Sequence, residues 1–220
     1  MKKPRICATI TENNLEAIKE AERHLSLFEV RLDLVGLHWP ELVKLLQKPW
    51  IACNRSPEEG GRGQADESRR VEELLWAAEA GACIVDIEQR TRDLAGIVPL
   101  IKARAKCLIS FHDVSGTPSY ETLIGIAESQ IKAGADICKI VTTALKFEDN
   151  LTVLKLVRKF ARVQMVAFAM GEEGRISRIL SPIVGGYFTY ACIEQGKESA
   201  AGQIPVKELE EIYQYIRDGK

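Results

Sequence analysis

The chain has 220 residues, which is enough for one large domain with a substantial hydrophobic core. Its 30 Lys and Arg residues nearly balance its 31 Asp and Glu residues, and no block of one sign stands out. Neither a nucleic acid nor an anionic membrane surface is therefore indicated as a partner. No apolar run approaches the length of a membrane span, and Met1 leads into a short predicted strand rather than a signal peptide, so we expect a cytoplasmic protein.

Apolar, β-rich runs alternate with segments of helical periodicity from one end of the chain to the other. The predicted strands are Arg5–Ile10, Phe28–Leu34, Trp50–Asn54, Cys83–Glu88, Cys107–His112, Ile137–Thr142, Gln164–Ala169 and Tyr187–Ala191. The predicted helices are Asn14–Leu25, Pro40–Gln47, Glu67–Ala80, Leu94–Arg104, Ser119–Ala133, Glu148–Phe160, Ile176–Leu180 and Val206–Arg217. Asp66 can cap the third helix and Pro205 can open the last. Gly81 and Gly134 can end the third and fifth helices.

No linker or low-complexity stretch divides these units. Eight βα units in a chain of this length predict a single (β/α)8 barrel, the TIM-barrel fold, over residues 1–220. An open, doubly wound sheet is the alternative fold. The absence of a GxGxxG motif after the first strand weakens it, and so do the polar residues that recur inside the strands.

Six cysteines are scattered singly along the chain, and most fall within apolar, strand-like runs. None forms a CxxC pair, and no histidines stand near them at metal-ligand spacing. We interpret them as small buried side chains in a reducing compartment, with neither a disulfide nor a metal role. They are Cys7, Cys53, Cys83, Cys107, Cys138 and Cys192.

Polar side chains share one face on several predicted strands. Alternate residues of a barrel strand face the interior, and the carboxyl ends of the strands build the active site. A solvent-exposed edge would explain one polar strand, whereas several such strands together predict a polar pocket. The residues are Glu29, Arg31 and Asp33 on the second strand, Asp86 and Glu88 on the fourth, Ser110 and His112 on the fifth, and Lys139 on the sixth.

Lys139 lies in the middle of the apolar run Asp136–Val141. An enclosed lysine costs several kcal/mol unless it is paired or loses its proton. An uncharged amine is the nucleophile that imine-forming enzymes use, so burial predicts such an amine here. The alternative is an edge-strand lysine that reaches solvent. His112, at the end of the adjacent strand, can take and return a proton near neutral pH, or can be a structural group.

Three loops complete the predicted pocket. The segment Arg55–Gly63 contains two carboxylates beside its glycines and lacks Walker spacing, so it does not resemble a phosphate cradle. It is either a plain flexible turn or a loop that places Arg55 and Glu59 over the pocket. Arg178, early in the helix after the seventh strand, can grip a carboxylate through two hydrogen bonds. Gly196–Gln203, after the eighth strand, is a predicted lid.

In this order and along essentially the whole chain, these segments resemble the type I 3-dehydroquinate dehydratases of the shikimate pathway. Each motif is modest alone, but the ordered set is specific. The matching segments are Glu29-Val30-Arg31-Leu32-Asp33, Arg55 through Gly61, Asp86-Ile87-Glu88, Ser110-Phe111-His112-Asp113, Lys139-Ile140, Met170-Gly171 with Ser177-Arg178, and Ser199 with Gly202-Gln203.

The resemblance implies a hydro-lyase that converts 3-dehydroquinate to 3-dehydroshikimate by syn elimination through an imine on Lys139. It implies that His112 moves the protons and that Glu59 assists or orients His112. It also implies that Asp86 adjusts the properties of the site without touching the substrate. Further implied substrate contacts are Thr9, Glu29, Arg31, Arg55, Arg178, Ser199 and Gln203, with Arg178 and Gln203 holding the carboxylate. A homodimer is implied as well, and neither a metal nor an organic cofactor is needed.

The predicted lid departs from the common pattern of the family at two positions. Ala201 stands where a proline is usual, and Glu198 stands where a small residue is common. Ala201 is expected to leave the unbound loop more flexible, which affects closing kinetics rather than the reaction.

Two other functions stay open from the residues alone. A class I aldolase that acts on a sugar phosphate would share the lysine and the fold. It would need more cations or backbone amides after the seventh and eighth strands. A non-catalytic barrel that binds a carboxylate would instead keep Lys139 protonated and idle.

Overall fold

The computed structural model describes residues 3–63 and 66–219. Residues 1–2, 64–65 and 220, which include both ends of the predicted domain, lie outside the described residues. The strands are β1 Ile6–Ile10, β2 Leu27–Arg31, β3 Trp50–Cys53, β4 Ile84–Glu88, β5 Lys106–His112, β6 Ile137–Thr143, β7 Met165–Met170 and β8 Thr189–Cys192. The α-helices are α1 Leu15–Ala21, α2 Leu32–Val35, α3 Trp39–Val43, α4 Glu67–Glu79, α5 Leu94–Lys102, α6 Tyr120–Lys132, α7 Glu148–Lys159, α8 Arg175–Leu180 and α9 Val206–Asp218.

The strands form one parallel sheet in the order β7-β6-β5-β4-β3-β2-β1-β8. Each strand pairs with the next one along the chain up to β7, and β8 returns to pair with β1. This cyclic order is that of a nearly closed (β/α)8 barrel, which confirms the predicted fold. The doubly wound alternative is wrong, because its strand order reverses in the middle of an open sheet.

The seam between β7 and β8 is bridged by helix α8. The Ala169 amide of β7 donates to Ser177 Oγ at 2.9 Å, and Thr189 Oγ1 of β8 donates to the Arg178 carbonyl at 2.8 Å. At the opposite end of the seam, the Tyr187 amide donates to the Met165 carbonyl at 2.7 Å. Helix α8 thus takes the place of direct hydrogen bonds between β7 and β8 along this part of the seam. Arg178 therefore enters the barrel from a helix rather than from a strand.

The barrel interior has an apolar floor beneath a polar layer. Side chains of the floor include Leu27, Ile51, Ile84, Leu108, Ile137 and Phe188, all buried. Two residues further along β5 and β6, the register pairs Ser110 with Lys139. Since strand side chains alternate between faces, a step of two residues keeps Ser110 and Lys139 on the inner face, one layer above the floor residues Leu108 and Ile137. The sequence alternation therefore places the polar groups toward the carboxyl end of the barrel.

Strand β2 is shorter than predicted. It ends at Arg31, and Leu32–Val35 form the short helix α2, so the prediction of Asp33 as a strand residue is wrong. The Asp33 carboxylate accepts from Nε and Nη2 of Arg31 at 2.8 and 2.6 Å and from the Arg62 amide at 3.0 Å. These contacts hold the chain in a turn where the apolar alternation alone predicts a continuing strand.

The helix-boundary predictions agree more closely with the structure. The Asp66 side chain accepts from the amides of Ser68 and Arg69 at the start of α4. Gly81 and Gly134 follow α4 and α6 with φ of +102° and +92°, a backbone conformation that favours glycine. Within residues 3–63 and 66–219, no helix has both the length and the apolar character that crossing a bilayer demands.

The Ser177 bridge across the seam is testable by stability. In Ser177→Ala the Ala169 N–H is left buried without an acceptor, so we expect the free energy of unfolding to fall by about 1–3 kcal/mol. Urea denaturation followed by circular dichroism measures it. Ser129→Ala, on the exposed face of α6, is the matched control and should stay within about 0.5 kcal/mol of the parent. Equal stabilities of the two variants would contradict the bridging role.

Candidate active site

A cavity of about 150 Å³ opens at the carboxyl ends of the strands, where the alternation of polar residues predicts a pocket. Most of the predicted site residues line it. They are Glu29, Arg31, Arg55, Glu59, His112, Lys139, Arg178, Ser199 and Gln203. Asp86 lies behind the wall in contact with Lys139, and Thr9 lies beneath Gln203 rather than on the cavity surface.

Lys139 is buried, with 4% of its surface exposed, and its ammonium group has three partners. Nζ lies 2.8 Å from Asp86 Oδ2, 3.1 Å from the Tyr190 hydroxyl and 3.3 Å from Glu29 Oε1. Burial alone lowers the pKa of Lys139, but the carboxylates of Asp86 and Glu29 outweigh burial and raise it above its usual value. The prediction of an uncharged amine is thus wrong for the resting site, because sequence alternation does not show which carboxylates reach Nζ.

Asp86 is held by a buried network centred on Arg55. Arg55 Nη2 lies 2.7 Å from Asp86 Oδ2, and Nη1 donates to Ser110 Oγ at 2.8 Å, which in turn donates to Asp86 Oδ1 at 2.6 Å. Glu88 lies 3.2 Å from Arg55 Nη1 and 2.7 Å from Arg70 Nη2 of α4. Burial raises the pKa of Asp86, but the positive charges of Arg55 and Lys139 outweigh burial and hold the pKa below its usual value. Asp86 is therefore ionised.

His112 is paired with Glu59 across the mouth of the barrel. Nδ1 lies 2.7 Å from Glu59 Oε2. Burial, followed by the positive charges of Arg55 and Lys139, lowers the pKa of His112 well below its usual value, so its imidazole is neutral. Burial raises the pKa of Glu59 to about 7, despite the opposing charge of Arg55. With Nδ1 engaged by Glu59, Nε2 is the atom that can exchange a proton with a ligand.

The glycines after Glu59 have a steric explanation. Gly60 has φ of +84°, and a Cβ at Gly61 would lie 2.1 Å from the Arg55 carbonyl oxygen. The Gly61 amide donates to the Ser56 carbonyl at 2.8 Å, which closes the turn. The tight return of the chain therefore requires these glycines and directs Glu59 toward His112, which favours the pocket loop over the plain flexible turn.

Arg178 is a buried cation without a counter-ion in the described part of the chain. Its exposed fraction is 1%, and its guanidinium stacks over the Phe168 ring at 4.3 Å. Nε and Nη2 have no hydrogen-bond partner among the described residues. Burial lowers the pKa of Arg178 to about 10. A guanidinium that is both desolvated and unpaired is a ready site for a carboxylate or another anion.

The loop predicted as a lid lies over this cavity. The Ser199 amide donates to Gln203 Oε1 at 2.8 Å, and Gln203 Nε2 donates to Thr9 Oγ1 at 3.3 Å. The Gly171 amide after β7 donates to the Ala201 carbonyl at 3.1 Å. Gly202 has φ of +80°, and a Cβ there would lie 2.3 Å from the Gly171 carbonyl oxygen. Close backbone approach between the two loops therefore fixes the lid against β7.

The residues missed from sequence include Tyr190 and Phe168, both of which line the cavity, as does Met170 of the matching segment Met170-Gly171. Tyr190 is the most consequential, because its hydroxyl contacts Lys139 Nζ. Its signal was the alternation on β8, where Phe188 and Tyr190 share the inner face. An aromatic run of this kind is more often part of a core, so the pattern alone does not mark Tyr190.

Glu29, Cys53 and Asp86 place potential metal-ligand atoms within 4.8 Å of one another. The protein's own cations already occupy this cluster. Lys139 Nζ contacts both carboxylates, and Arg55 Nη2 lies 2.7 Å from Asp86 Oδ2 and 3.4 Å from Cys53 Sγ. The arrangement therefore serves to hold an ammonium and a guanidinium together in the barrel.

The two buried arginines should differ in their effects on stability. Arg55→Met leaves Asp86 and Glu88 short of a partner, so we expect the free energy of unfolding to fall by about 3–5 kcal/mol. Arg178→Met removes a buried, unpaired charge and should raise the free energy by about 1 kcal/mol. Urea denaturation of both variants measures the contrast. A large loss of stability in Arg178→Met would contradict the absence of a counter-ion.

Comparison with known proteins agrees with this geometry. The family model described as Type I 3-dehydroquinase matches residues 6–220. A 3-dehydroquinate dehydratase of Dehalococcoides mccartyi is 40% identical over 217 residues, covering 98% of this chain and 97% of that protein. A 3-dehydroquinate dehydratase of Methanococcus maripaludis is 34% identical over 219 residues, covering 96% and 99%.

Solved structures give the same fold. The crystal structure of 3-dehydroquinate dehydratase from Geobacillus kaustophilus superposes with a TM-score of 0.88 at 24% identity, covering 98% of this chain and 92% of that one. At this identity the structural likeness supports the barrel alone, while the family match rests on the sequence comparisons. Because that match extends over nearly the whole described chain, this protein belongs to the type I 3-dehydroquinase family.

Proposed function

We propose that this chain dehydrates 3-dehydroquinate to 3-dehydroshikimate through an imine between the substrate ketone and Lys139. The observation that carries the proposal is the convergence of three groups on one cavity: the Lys139 amine, the His112–Glu59 pair and the unpaired Arg178 guanidinium. Membership of the type I 3-dehydroquinase family supports the same reaction.

Substrate orientation begins at Arg178. Its guanidinium lines the cavity and lacks a counter-ion among the described residues, so it can donate hydrogen bonds to the substrate carboxylate, with Gln203 of the lid beside it. Glu29, Arg31 and Arg55 line the remaining polar wall and can bind ring hydroxyls. Asp33 fixes Arg31 through two hydrogen bonds, so its guanidinium is preorganised. Ser199 closes the site from the lid.

Imine formation requires Lys139 to release the proton that its carboxylate partners retain. The neutral amine then adds to the ketone carbon, and loss of water leaves a protonated imine on Nζ. The positive nitrogen withdraws electrons from the neighbouring carbon, so a C–H bond next to the imine becomes acidic. The lysine therefore supplies the electron sink without a cofactor.

Elimination is assigned to His112. Its neutral imidazole takes the acidic proton, and the C–H electrons form the new ring double bond as the β-hydroxyl leaves. The same imidazolium returns its proton to the departing oxygen, which becomes water. One group acting on one face suits a syn elimination. Hydrolysis of the imine then releases product and restores Lys139, while Glu59 keeps Nδ1 of His112 engaged throughout.

Covalent trapping tests the proposal and separates it from its rivals. With 3-dehydroquinate and borohydride, the parent should gain the mass of a reduced adduct on Lys139, and Lys139→Ala should gain none and lose turnover. His112→Ala should still form the adduct but lose about 100-fold or more in ultraviolet-detected dehydroshikimate production. An adduct with sugar phosphates alone would favour an aldolase, and no adduct with any carbonyl compound would favour a binding protein.

The pKa of Glu59 predicts a pH dependence. Above about pH 7 the Glu59 carboxylate accepts the Nδ1 proton, and Nε2 of His112 is a free base. Below it the protonated Glu59 donates to Nδ1, so Nε2 carries the proton and kcat should fall with decreasing pH. Glu59→Gln keeps an acceptor that does not titrate, so a pH–rate series should lose this limb near 7. A limb that persists unchanged in Glu59→Gln would reject Glu59 as its source.

We further propose a homodimer and a cytoplasmic location. Leu145 and Phe147, just before α7, expose 71% and 56% of their surfaces, and neighbouring apolar side chains of this kind are typical of a covered face. All six cysteines are free thiols and five of them are buried, which fits a reducing compartment.

A further inference from the structure

Tyr190 holds a fixed position on the inner face of β8, directly beside the reacting amine. It is buried, with 3% of its surface exposed, and its ring packs edge-on against Phe168 and Phe188, with centroids 6.0 and 5.4 Å apart. The hydroxyl lies 3.1 Å from Lys139 Nζ, which itself sits 4.4 Å from the centroid of the Tyr190 ring. Packing on both sides therefore aims the hydroxyl at the nitrogen.

The hydrogen-bond inventory leaves the phenolic proton available. The Lys139 ammonium has three N–H donors, and they match three acceptors, on Asp86, Glu29 and Tyr190. The Tyr190 oxygen thus accepts from Nζ, and its own O–H finds no acceptor among the residues that the structure describes. Burial, followed by the charge of Glu29, raises the pKa of Tyr190 well above its usual value, so the group keeps its proton.

We propose that Tyr190 is a catalytic residue of imine formation, which relays a proton from Nζ to the ketone oxygen. The inference rests on the Lys139 imine proposed above. As the Nζ lone pair forms the new bond to carbon, the C=O π electrons move to oxygen, and that oxygen takes the phenolic proton. The phenolate then takes a proton from the positively charged Nζ. The result is a neutral carbinolamine and a restored phenol, with no net change in protons.

Geometry favours Tyr190 over its neighbours for this step. The ketone oxygen is attached to the carbon that Nζ attacks, so a donor in hydrogen-bond contact with Nζ is also within reach of that oxygen. Asp86 and Glu29 contact Nζ as acceptors, and Asp86 is held ionised by Arg55. His112 is engaged by Glu59 and makes no hydrogen bond with Lys139 in the described structure. Tyr190 is thus the neutral O–H donor at the nitrogen.

The test is Tyr190→Phe, which keeps the ring over Nζ and removes only the hydroxyl. Enzyme and 3-dehydroquinate are mixed rapidly and quenched with borohydride, and the total adduct mass on Lys139 is followed with time. We expect the adduct to form about 100-fold more slowly. Conversion of substrate-derived adduct to product-derived adduct should keep its parental rate, because His112 is untouched. Tyr187→Phe, at the opposite end of the barrel, is the control with the parental rate.

The outcomes are distinct. A parental rate of adduct formation in Tyr190→Phe would overturn the relay, and so would an equal slowing of both steps, which indicates a displaced site. If Tyr190→Phe folds poorly, 3-fluorotyrosine at position 190 is the second variant, because it keeps the hydroxyl and lowers its pKa. If the relay operates, the pH profile of adduct formation shifts to lower pH. An unshifted profile would overturn it. If the parent itself forms no adduct, the proposed function fails, not the assignment of Tyr190 alone.

Discussion

The ion pair between Lys139 and Asp86 is the interaction on which the rest of the site depends. A lysine at this depth would lose its charge or leave the barrel if it were desolvated without a partner. Arg55 Nη2 lies 2.7 Å from the same Asp86 oxygen that contacts Lys139, which keeps Asp86 ionised, and Glu88 lies 3.2 Å from Arg55 Nη1. Alternating charges therefore keep Lys139, the proposed nucleophile, inside the barrel as an ammonium, which must lose a proton before it can react.

Arg178 shows the opposite use of a buried charge. Arg178 reaches the interior from α8, at the seam between β7 and β8. There Ser177 Oγ accepts the hydrogen bond of the Ala169 amide in place of a neighbouring strand. Nothing described around Nε and Nη2 neutralises it. A desolvated, unpaired guanidinium lowers the stability of the empty site, and the carboxylate that we propose as its ligand would supply the missing counter-ion.

The alternation of side chains along a strand determines how much of the site could be predicted from sequence. Alternation places Glu29 and Lys139 on the inner face at neighbouring levels, which is why the pocket and most of its wall could be predicted. It fails at Asp33, where side-chain hydrogen bonds to Arg31 end the strand early. It also fails for the charge of Lys139, because that charge depends on distances between strands far apart in sequence. Tyr190 was missed for the same reason, since an aromatic residue on an inner face looks like core until its hydroxyl is placed.

One electrostatic field shifts the pKa values of Lys139 and His112 in opposite directions. The carboxylates of Asp86 and Glu29 raise the pKa of Lys139, while burial and the cations Arg55 and Lys139 depress the pKa of His112. These effects are coupled: when Lys139 gives up its proton, one of the charges that keep His112 neutral disappears, and the imidazole becomes a stronger base. In the proposed reaction, the protonated imine restores the positive charge near Nζ. That charge makes the neighbouring C–H bond acidic enough for His112 to break, and it also favours the return of the proton from the imidazolium to the departing hydroxyl.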